Sequence, residues 1–261
     1  MKKIIIIIII LLITIFIIRG LDDKIKIRNY YIKDDKAPSF KIALITDFHA
    51  NKIDLSSYVQ NVDIIMLGGD IFDDRKDLNI SYDFIKEMAK IKPTFFALGN
   101  HELRTGKVDE ILNNLKKINN LYVLNGNYNM LNIKGMNVTL LGITDPENNK
   151  EEYERQLNNF KEYKARNYSI LLAHHPERID DYKEIDVSLI LSGHAHGGII
   201  RIPYLLENGL ISPNEGFFPK YTGGIHKIGK QKLIISRGID NETVPVPRFY
   251  NNREVVIINI N

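Results

Sequence analysis

The sequence contains no cysteine. This excludes disulfide bonds and thiolate ligands, so any metal ion must be bound by nitrogen and oxygen donors. The sequence also lacks a strong charge of one sign, because 35 Lys and Arg against 32 Asp and Glu give a formal net charge of +3. Such a small bias does not indicate a nucleic-acid partner, and we expect none. The 261 residues are enough for one catalytic domain and a tether.

A long apolar run stands at the start of the chain, from Ile4 to Ile18, and only Thr14 interrupts it. As a helix this run spans about 22 Å, against roughly 30 Å for a hydrocarbon core, and snorkelling of Lys3 and Arg19 narrows the gap. A cleaved secretory signal would need a small-residue cleavage site of the Ala-x-Ala kind, which does not follow here. We therefore expect residues 1–20 to be an uncleaved membrane anchor. A removed signal and a buried element of the folded domain are the alternatives.

The anchor predicts a single-pass protein of the cell membrane. Short N-terminal tails commonly stay inside, which favours an extracytoplasmic catalytic domain, whereas the excess of Lys and Arg after the apolar run argues for the reverse orientation. Residues 21–39 are charged and end near Pro38, which predicts a short stalk or a first strand. The globular domain is then expected over 40–261.

From Phe40 onward, short apolar runs alternate with amphipathic stretches. Apolar runs predict strands over 41–46, 63–67, 94–98, 129–133, 137–142, 169–173, 187–191, 232–235 and 254–260. Apolar residues at three- and four-residue spacing predict helices over 78–91, 107–118 and 151–163. This order predicts an α/β (α+β layered) fold: a four-layer sandwich of two mixed β-sheets packed face to face and flanked by helices, preceded by a transmembrane segment.

Five short blocks rich in histidine and aspartate follow predicted strands in a fixed order. They are Asp47-Phe48-His49, Gly69-Asp70, Gly99-Asn100-His101-Glu102, Ala173-His174 and Gly193-His194-Ala195-His196. Because the carboxyl ends of strands meet at one edge of a sheet, these side chains are expected to converge. Asp47 and His49 could bind one cation, and Asp70 could bridge two. Each block alone has an ordinary structural explanation, but together they predict a two-metal site that hydrolyses phosphate esters.

The set of blocks resembles the signature of the calcineurin-like metallophosphoesterases, which runs Asp-x-His, Gly-Asp, Gly-Asn-His-Asp/Glu, His and Gly-His-x-His. Every element is present between Asp47 and His196. The N-terminal run and the segments 192–198, 220–224 and 236–238 further resemble the membrane-associated bacterial phosphoesterases.

The resemblance implies a role for each matching position. Asp47, His49 and His196 would hold the first metal, Asp70 would bridge, and Asn100, His174 and His194 would hold the second. His101 would be the catalytic histidine, and Glu102, where many relatives carry Asp, could orient it. We expect Mn²⁺ first, with Zn²⁺ or Fe²⁺ as alternatives. Arg201 and Arg237 are further candidates, for binding substrate phosphates.

The expected activity is in-line attack of a metal-bridging hydroxide on a phosphate ester. The anchor favours a phosphodiester or pyrophosphate in a membrane- or envelope-associated substrate, which could be lipid-linked. A phosphomonoesterase of soluble metabolites is the alternative. A non-enzymatic binding module on the same fold is a less favoured alternative. Such modules typically lose several metal ligands, whereas all seven predicted metal ligands are present here. We read His175 as pocket lining or structure and His226 as a surface residue.

Overall fold

The computed structural model describes residues 1–147, 149–242 and 245–261. Its helices are α1 (Lys2–Gly20), α2 (Leu78–Ile91), α3 (Asn100–Arg104), α4 (Val108–Leu115), α5 (Lys150–Lys161) and α6 (Ile179–Tyr182). The first strands are β1 (Lys26–Ile32), β2 (Phe40–Ile45), β3 (Ile64–Gly68), β4 (Thr94–Ala97), β5 (Leu121–Val123), β6 (Asn127–Ile133) and β7 (Met136–Gly142). The remaining strands are β8 (Tyr168–Leu172), β9 (Leu189–Ser192), β10 (Ile211–Ser212), β11 (Gly216–Phe217), β12 (Gly224–Ile228), β13 (Gln231–Ile235) and β14 (Glu254–Ile260).

Two six-stranded sheets form the framework. The first sheet has the order β1-β14-β2-β3-β4-β5 and the second β12-β13-β9-β8-β7-β6, while β10 and β11 form a separate hairpin. Both sheets are mixed: β2, β3 and β4 run parallel to one another, as do β7, β8 and β9, and antiparallel pairings occur toward the edges. The predicted pair of mixed sheets is confirmed.

Alternation along the strands produces the layers. In β2, Ile42 and Leu44 point between the two sheets, where they belong to the same buried cluster as Leu172 and Leu191 of the second sheet. The intervening residue Ala43 faces the other way, because successive side chains of a strand point to opposite faces. There the first sheet packs against α2 and α4, and α5 and α6 cover the outer face of the second sheet. The domain is therefore a four-layer sandwich, with the layers in the order helices, first sheet, second sheet, helices.

The apolar run at the start of the chain forms α1, whose side chains are exposed along nearly its whole length. A buried element of the folded domain is therefore excluded. With 19 residues, the helix is about 28 Å long, close to the thickness of a hydrocarbon core. Among the described residues, α1 is the helix that is long and apolar enough to cross a membrane, a property that signal sequences share.

The end of α1 rests on the domain. Gly20 packs against the ring of Phe249, the backbone N–H of Tyr250 donates to the carbonyl of Gly20 at 2.6 Å, and the hydroxyl of Tyr250 donates to the carbonyl of Phe16 at 2.9 Å. The segment 21–39 was predicted to be a short stalk or a first strand. It contains the strand β1.

Candidate metal centre

The seven predicted metal ligands come from both sheets. Asp47, Asp70 and Asn100 follow β2, β3 and β4 of the first sheet, whereas His174 and the pair His194 and His196 follow β8 and β9 of the second; His49 lies two residues after Asp47. All seven are buried. Because the two sheets face each other with these strand ends at one side, side chains that are distant in sequence meet in one pocket.

The donor atoms form two groups. Asp47, His49 and His196 offer ligand atoms that all lie within 4.8 Å of one another, and so do Asp70, His174 and His194. An amide atom of Asn100 lies 3.1 Å from Nδ1 of His194 and 3.3 Å from Oδ2 of Asp70, beside the second group. The two groups contain the positions that the resemblance assigned to the first and second metal, and their role as ligands stays a prediction.

Asp70 lies between the two groups. Its Oδ2 atom is 3.1 Å from Nε2 of His174 in the second group and 3.7 Å from Nε2 of His49 in the first. One carboxylate therefore faces histidines of both groups, which is the position required of a ligand that two cations share.

The histidines present suitable nitrogen atoms. Nδ1 of His49 lies 3.1 Å from the carboxylate of Asp73, and Nδ1 of His174 lies 2.7 Å from the carbonyl of Gly68. In each ring Nδ1–H donates to that oxygen, which leaves the lone pair on Nε2 for a metal. Nε2 of His49 and of His194 is buried and has no hydrogen-bond partner in the described parts of the chain. These orphaned atoms, with the oxygen and nitrogen donors around them, fit a pair of divalent cations.

The charge state of the pocket also fits cations. Burial, with the neighbouring His175 and His174 rings, lowers the pKa of His194 well below its usual range, so this ring is neutral, as a metal ligand must be. Burial opposes ionisation of Asp70, but the nearby His174 and His49 rings outweigh it and hold the pKa of the Asp70 carboxyl well below its usual range. Burial opposes protonation of His174, but the Asp70 carboxylate outweighs it and raises the pKa of that ring well above its usual range. A cation bound between these groups would take the place of that proton, which frees the Nε2 lone pair as a ligand.

The backbone around the pocket is unusual. Five of the seven donors have positive φ: Asp47 (51°), His49 (47°), Asp70 (53°), His194 (64°) and His196 (45°). Residues other than glycine rarely adopt this left-handed conformation, which costs on the order of 1 kcal/mol or more each. The surrounding strands and hydrogen bonds hold these residues in it, and such conformations cluster where side chains must be aimed at a ligand.

His101 lies next to the first group of donors, with its ring 4.5 Å from the ring of His49. Its Nδ1 atom is 2.5 Å from the carboxylate of Asp74, and its Nε2 atom is 3.4 Å from the guanidinium of Arg104. The ring is therefore oriented through Nδ1 by Asp74, and its Nε2 atom remains directed toward Arg104.

Glu102 has other partners than the one we expected. Its carboxylate accepts the backbone N–H groups of Gly99 at 2.7 Å, Asp70 at 2.9 Å, Ile71 at 2.7 Å and Phe72 at 2.8 Å. As the third residue of α3 it folds back over the start of that helix, as in a capping box. Asp74, rather than Glu102, therefore contacts the His101 ring, while Glu102 holds the loop that carries Asp70.

Arg201 and Arg237 lie outside the pocket of the seven donors. Both line a separate cavity. Nε of Arg201 donates to the carbonyl of Gly197 at 2.7 Å. Gly197 directly follows His196, so the turn that carries this predicted metal ligand also borders the cavity. The prediction that the two arginines bind substrate phosphates stays a prediction.

His175 and His226 are separate from the donor groups. His175 is buried, with Nε2 2.6 Å from Asp145 and its ring 3.8 Å from that of His194, so it packs behind a predicted ligand. His226 is half-buried and lies 3.1 Å from the carbonyl of Gly223. Neither position conflicts with the interpretation of the sequence.

Sequence reasoning missed the partners of the histidines. Asp73 and Asp74 contact His49 and His101, and a guanidinium nitrogen of Arg248 lies 3.4 Å from Nδ1 of His196. A signal for the aspartates was present, because they follow the Gly69-Asp70 block within four residues. Arg248, 52 positions after His196, carries no comparable signal.

Comparisons with known proteins also indicate a metallophosphoesterase. The family model for calcineurin-like phosphoesterases matches residues 40–198. An uncharacterized metallophosphoesterase of Campylobacter jejuni is 30% identical over 235 residues, which is 84% of this chain and 59% of that protein. The phosphodiesterase YaeI of Escherichia coli strain K12 is 26% identical over 232 residues, 84% of this chain and 82% of that protein.

Solved structures share the fold. The protein TT1561 of Thermus thermophilus superimposes with a TM-score of 0.53 at 12% identity, covering 78% of this chain and 92% of that one. The NAD nucleotidase of Haemophilus influenzae gives a TM-score of 0.50 at 16% identity, covering 78% of this chain and 46% of that one. With the family model matching more than half of its residues, the chain belongs to the calcineurin-like phosphoesterases, a family of metal-dependent hydrolases of phosphate esters.

Proposed function

We propose that this chain is a dinuclear-metal-dependent phosphodiesterase or pyrophosphatase that acts on a substrate at a membrane or in the cell envelope. The observation that carries the proposal is the pair of donor groups with Asp70 between them. Asp47, His49 and His196 would hold one cation, Asn100, His174 and His194 the other, and Asp70 both. When bound, two such cations supply Lewis-acid charge that polarises a phosphoryl oxygen and acidifies water.

His101 is the proposed catalytic acid. The carboxylate of Asp74 at Nδ1 stabilises the protonated ring. Its Nε2–H can then donate to a phosphoryl oxygen or protonate the leaving oxygen. Arg104 adds a second cationic donor 3.4 Å from that atom, suited to the charge of a bound phosphate.

The membrane part of the proposal rests on α1 and on its contacts with Phe249 and Tyr250. These contacts hold the domain close to the end of the apolar helix, so a substrate in the bilayer or on its surface would be near. We propose that residues 1–20 anchor the protein in the cell membrane with the catalytic domain, residues 40–261, on the extracytoplasmic side. The E. coli relative is a phosphodiesterase, which favours a diester over a monoester.

The test uses the full-length protein in dodecyl maltoside with Mn²⁺. We expect hydrolysis of bis-p-nitrophenyl phosphate to exceed that of p-nitrophenyl phosphate, with pyrophosphate as a third substrate. Preference for the monoester would support the phosphomonoesterase alternative instead. Asp70→Asn should lose bound metal, measured by elemental analysis, together with activity. Asp83→Asn, which removes an exposed carboxylate on α2, is the matched control. Full activity of Asp70→Asn would contradict the shared-ligand assignment.

A second variant separates the acid from the ligands. His101→Asn should keep the metal content of the wild type and lower kcat by about 100-fold or more, the usual contribution of a general acid. Loss of metal in this variant would contradict the assignment of His101 as the acid.

A further inference from the structure

A cavity of about 400 Å³ lies beside the turn that follows His196. Its lining includes Arg201, Tyr204, Arg237 and Tyr250, and none of the seven predicted metal ligands. Whatever this cavity binds is therefore not held by the two donor groups.

The cavity carries more positive than negative charge. Arg201 is only 7% exposed and is fixed by hydrogen bonds to the Gly197 carbonyl at 2.7 Å and the Thr222 hydroxyl at 3.1 Å. Arg237 lies 3.8 Å from the buried carboxylate of Glu254, which also has Arg28 at 3.6 Å.

Neither Glu254 nor Arg28 belongs to the cavity lining, whose one carboxylate among the described residues is that of Glu207, which is exposed to solvent. The lining thus has two guanidinium groups and one carboxylate, and the ion-paired Arg28 and Glu254 beside Arg237 add one charge of each sign. At 3.8 Å the contact between Arg237 and Glu254 is longer than a hydrogen bond. Arg237 makes no side-chain hydrogen bond with the residues that the structure describes, so its donors are available.

The charge of Arg237 also disfavours the charge of Arg201. Burial, followed by the proximity of Arg237, lowers the pKa of Arg201 below the ordinary arginine value. An anion placed between the two guanidinium groups would relieve both effects, since charge-assisted hydrogen bonds to phosphate are among the strongest that arginine makes.

The position of the cavity identifies the source of the anion. Tyr250 lines it and also contacts α1, through its hydroxyl to the carbonyl of Phe16 at 2.9 Å and through its ring, 4.9 Å from that of Phe16. Tyr204 of the cavity lining is 97% exposed, and Leu205, the residue after it, is 74% exposed. Exposed apolar side chains beside a basic cavity, at the end of an apolar helix, form a surface suited to the headgroup region of a bilayer.

We propose that this cavity binds the phosphate of a phospholipid from the bilayer in which α1 is embedded, with Arg201 and Arg237 as its donors. The lipid would fix the domain against the membrane surface. The inference rests on the membrane-anchor part of the proposed function and not on hydrolysis, because lipid binding is measured without turnover.

The experiment is native mass spectrometry of the full-length protein released from micelles of dodecyl maltoside, a detergent without phosphate. Dioleoylphosphatidylglycerol is titrated into the wild type, Arg237→Gln and Arg155→Gln. Arg155 is the matched control, an exposed arginine on α5 paired with Glu152. We expect the wild type and Arg155→Gln to retain one lipid with the same affinity. Arg237→Gln should bind it about tenfold more weakly or worse, the effect of losing one or two charge-assisted hydrogen bonds.

Separate titrations distinguish other ligands. Dioleoylglycerol should bind weakly, and inorganic phosphate should not displace the lipid at millimolar concentration. Equal binding of the diacylglycerol, displacement by free phosphate, or unchanged lipid binding in Arg237→Gln would each overturn the proposal. If Arg237→Gln does not fold, Arg237→Gln combined with Glu254→Gln replaces it, because that pair leaves no uncompensated carboxylate.

Discussion

The carboxylate of Glu102 accepts the backbone N–H of Asp70 at 2.9 Å. A residue beside the predicted catalytic histidine thus acts on the predicted shared ligand, 32 positions earlier in the chain. It does so through the backbone, which has φ of 53° at Asp70. The left-handed backbone conformation that directs the Asp70 side chain into the pocket is therefore stabilised by a hydrogen bond to Glu102 of the neighbouring helix α3.

Replacement of Glu102 by glutamine should destabilise the protein. The glutamine side chain has the same shape, but one of its two oxygen atoms becomes an NH₂ group that faces backbone N–H donors. We expect the free energy of unfolding to fall by about 2 kcal/mol, measured by denaturant titration, with loss of activity as the Asp70 loop loosens. Glu110→Gln, at an exposed position of α4, should change neither. Wild-type stability in Glu102→Gln would show that these hydrogen bonds contribute little.

Asp74→Asn should slow the chemical step without removing metal. The amide cannot stabilise a protonated His101 as the carboxylate does, so we expect kcat to fall about 10- to 100-fold, part of the usual contribution of a general acid. KM and metal content should change little. Steady-state kinetics and elemental analysis measure these quantities, with Asp83→Asn as control. An unchanged kcat would mean that Asp74 does not orient the ring during turnover.

Gly99→Ala should displace Asp70. A Cβ atom at position 99 would lie 2.5 Å from the backbone nitrogen of Asp70, closer than van der Waals contact allows, and backbone cannot move aside as a flexible side chain can. We expect lost metal and a drop in unfolding free energy of about 2 to 3 kcal/mol, the usual cost of overpacking.

Gly106→Ala is the comparison for this variant. Gly106 has φ of 66° and open space around it, so its substitution tests backbone strain alone, about 1 kcal/mol. Normal metal content in Gly99→Ala would contradict the steric argument.

Removal of metal should loosen the contact between the two sheets. Asp47 and Asp70 follow strands of the first sheet and His174 and His194 follow strands of the second, so bound cations would link them. We expect excess EDTA to lower the Tm of the wild type by about 10 °C and Mn²⁺ to restore it. Asp70→Asn should show no such shift. Equal Tm with and without EDTA in metal-loaded wild type would contradict the prediction.

Much of the fold could be predicted because its elements have strong patterns. The spacing of Phe84, Ile85 and Met88 gave the bounds of α2 as the structure has them, and the apolar run of β14 was equally clear. The edge strand β12 was missed. Its residues alternate between exposed and half-buried positions, and its sequence Gly-Ile-His-Lys-Ile is short and mixed, so neither an apolar run nor a long alternation marks it.

The candidate site shows a similar division. The donors could be found because each follows a strand, whereas their partners depend on how loops fold back. Glu102 illustrates the difference: its place beside His101 in sequence suggested a contact with that ring, but at the third position of α3 its carboxylate turns toward Gly99 and Asp70. The distance in space between Arg237 and the donors depends on the packing of two sheets, which local patterns do not contain.

The place of β14 in the first sheet has a consequence for biosynthesis. This strand lies between β1 and β2, with Lys26 opposite Glu254 and Leu44 opposite Val256. Until the ribosome has synthesised β14, β1 and β2 lack the strand that lies between them. Their apolar residues stay unpaired with it and exposed during that time. Strand pairing between residues so far apart in sequence is slow, and the exposed apolar surface can aggregate before the pairing is complete. The nascent domain should therefore depend on chaperones until residue 260 has emerged.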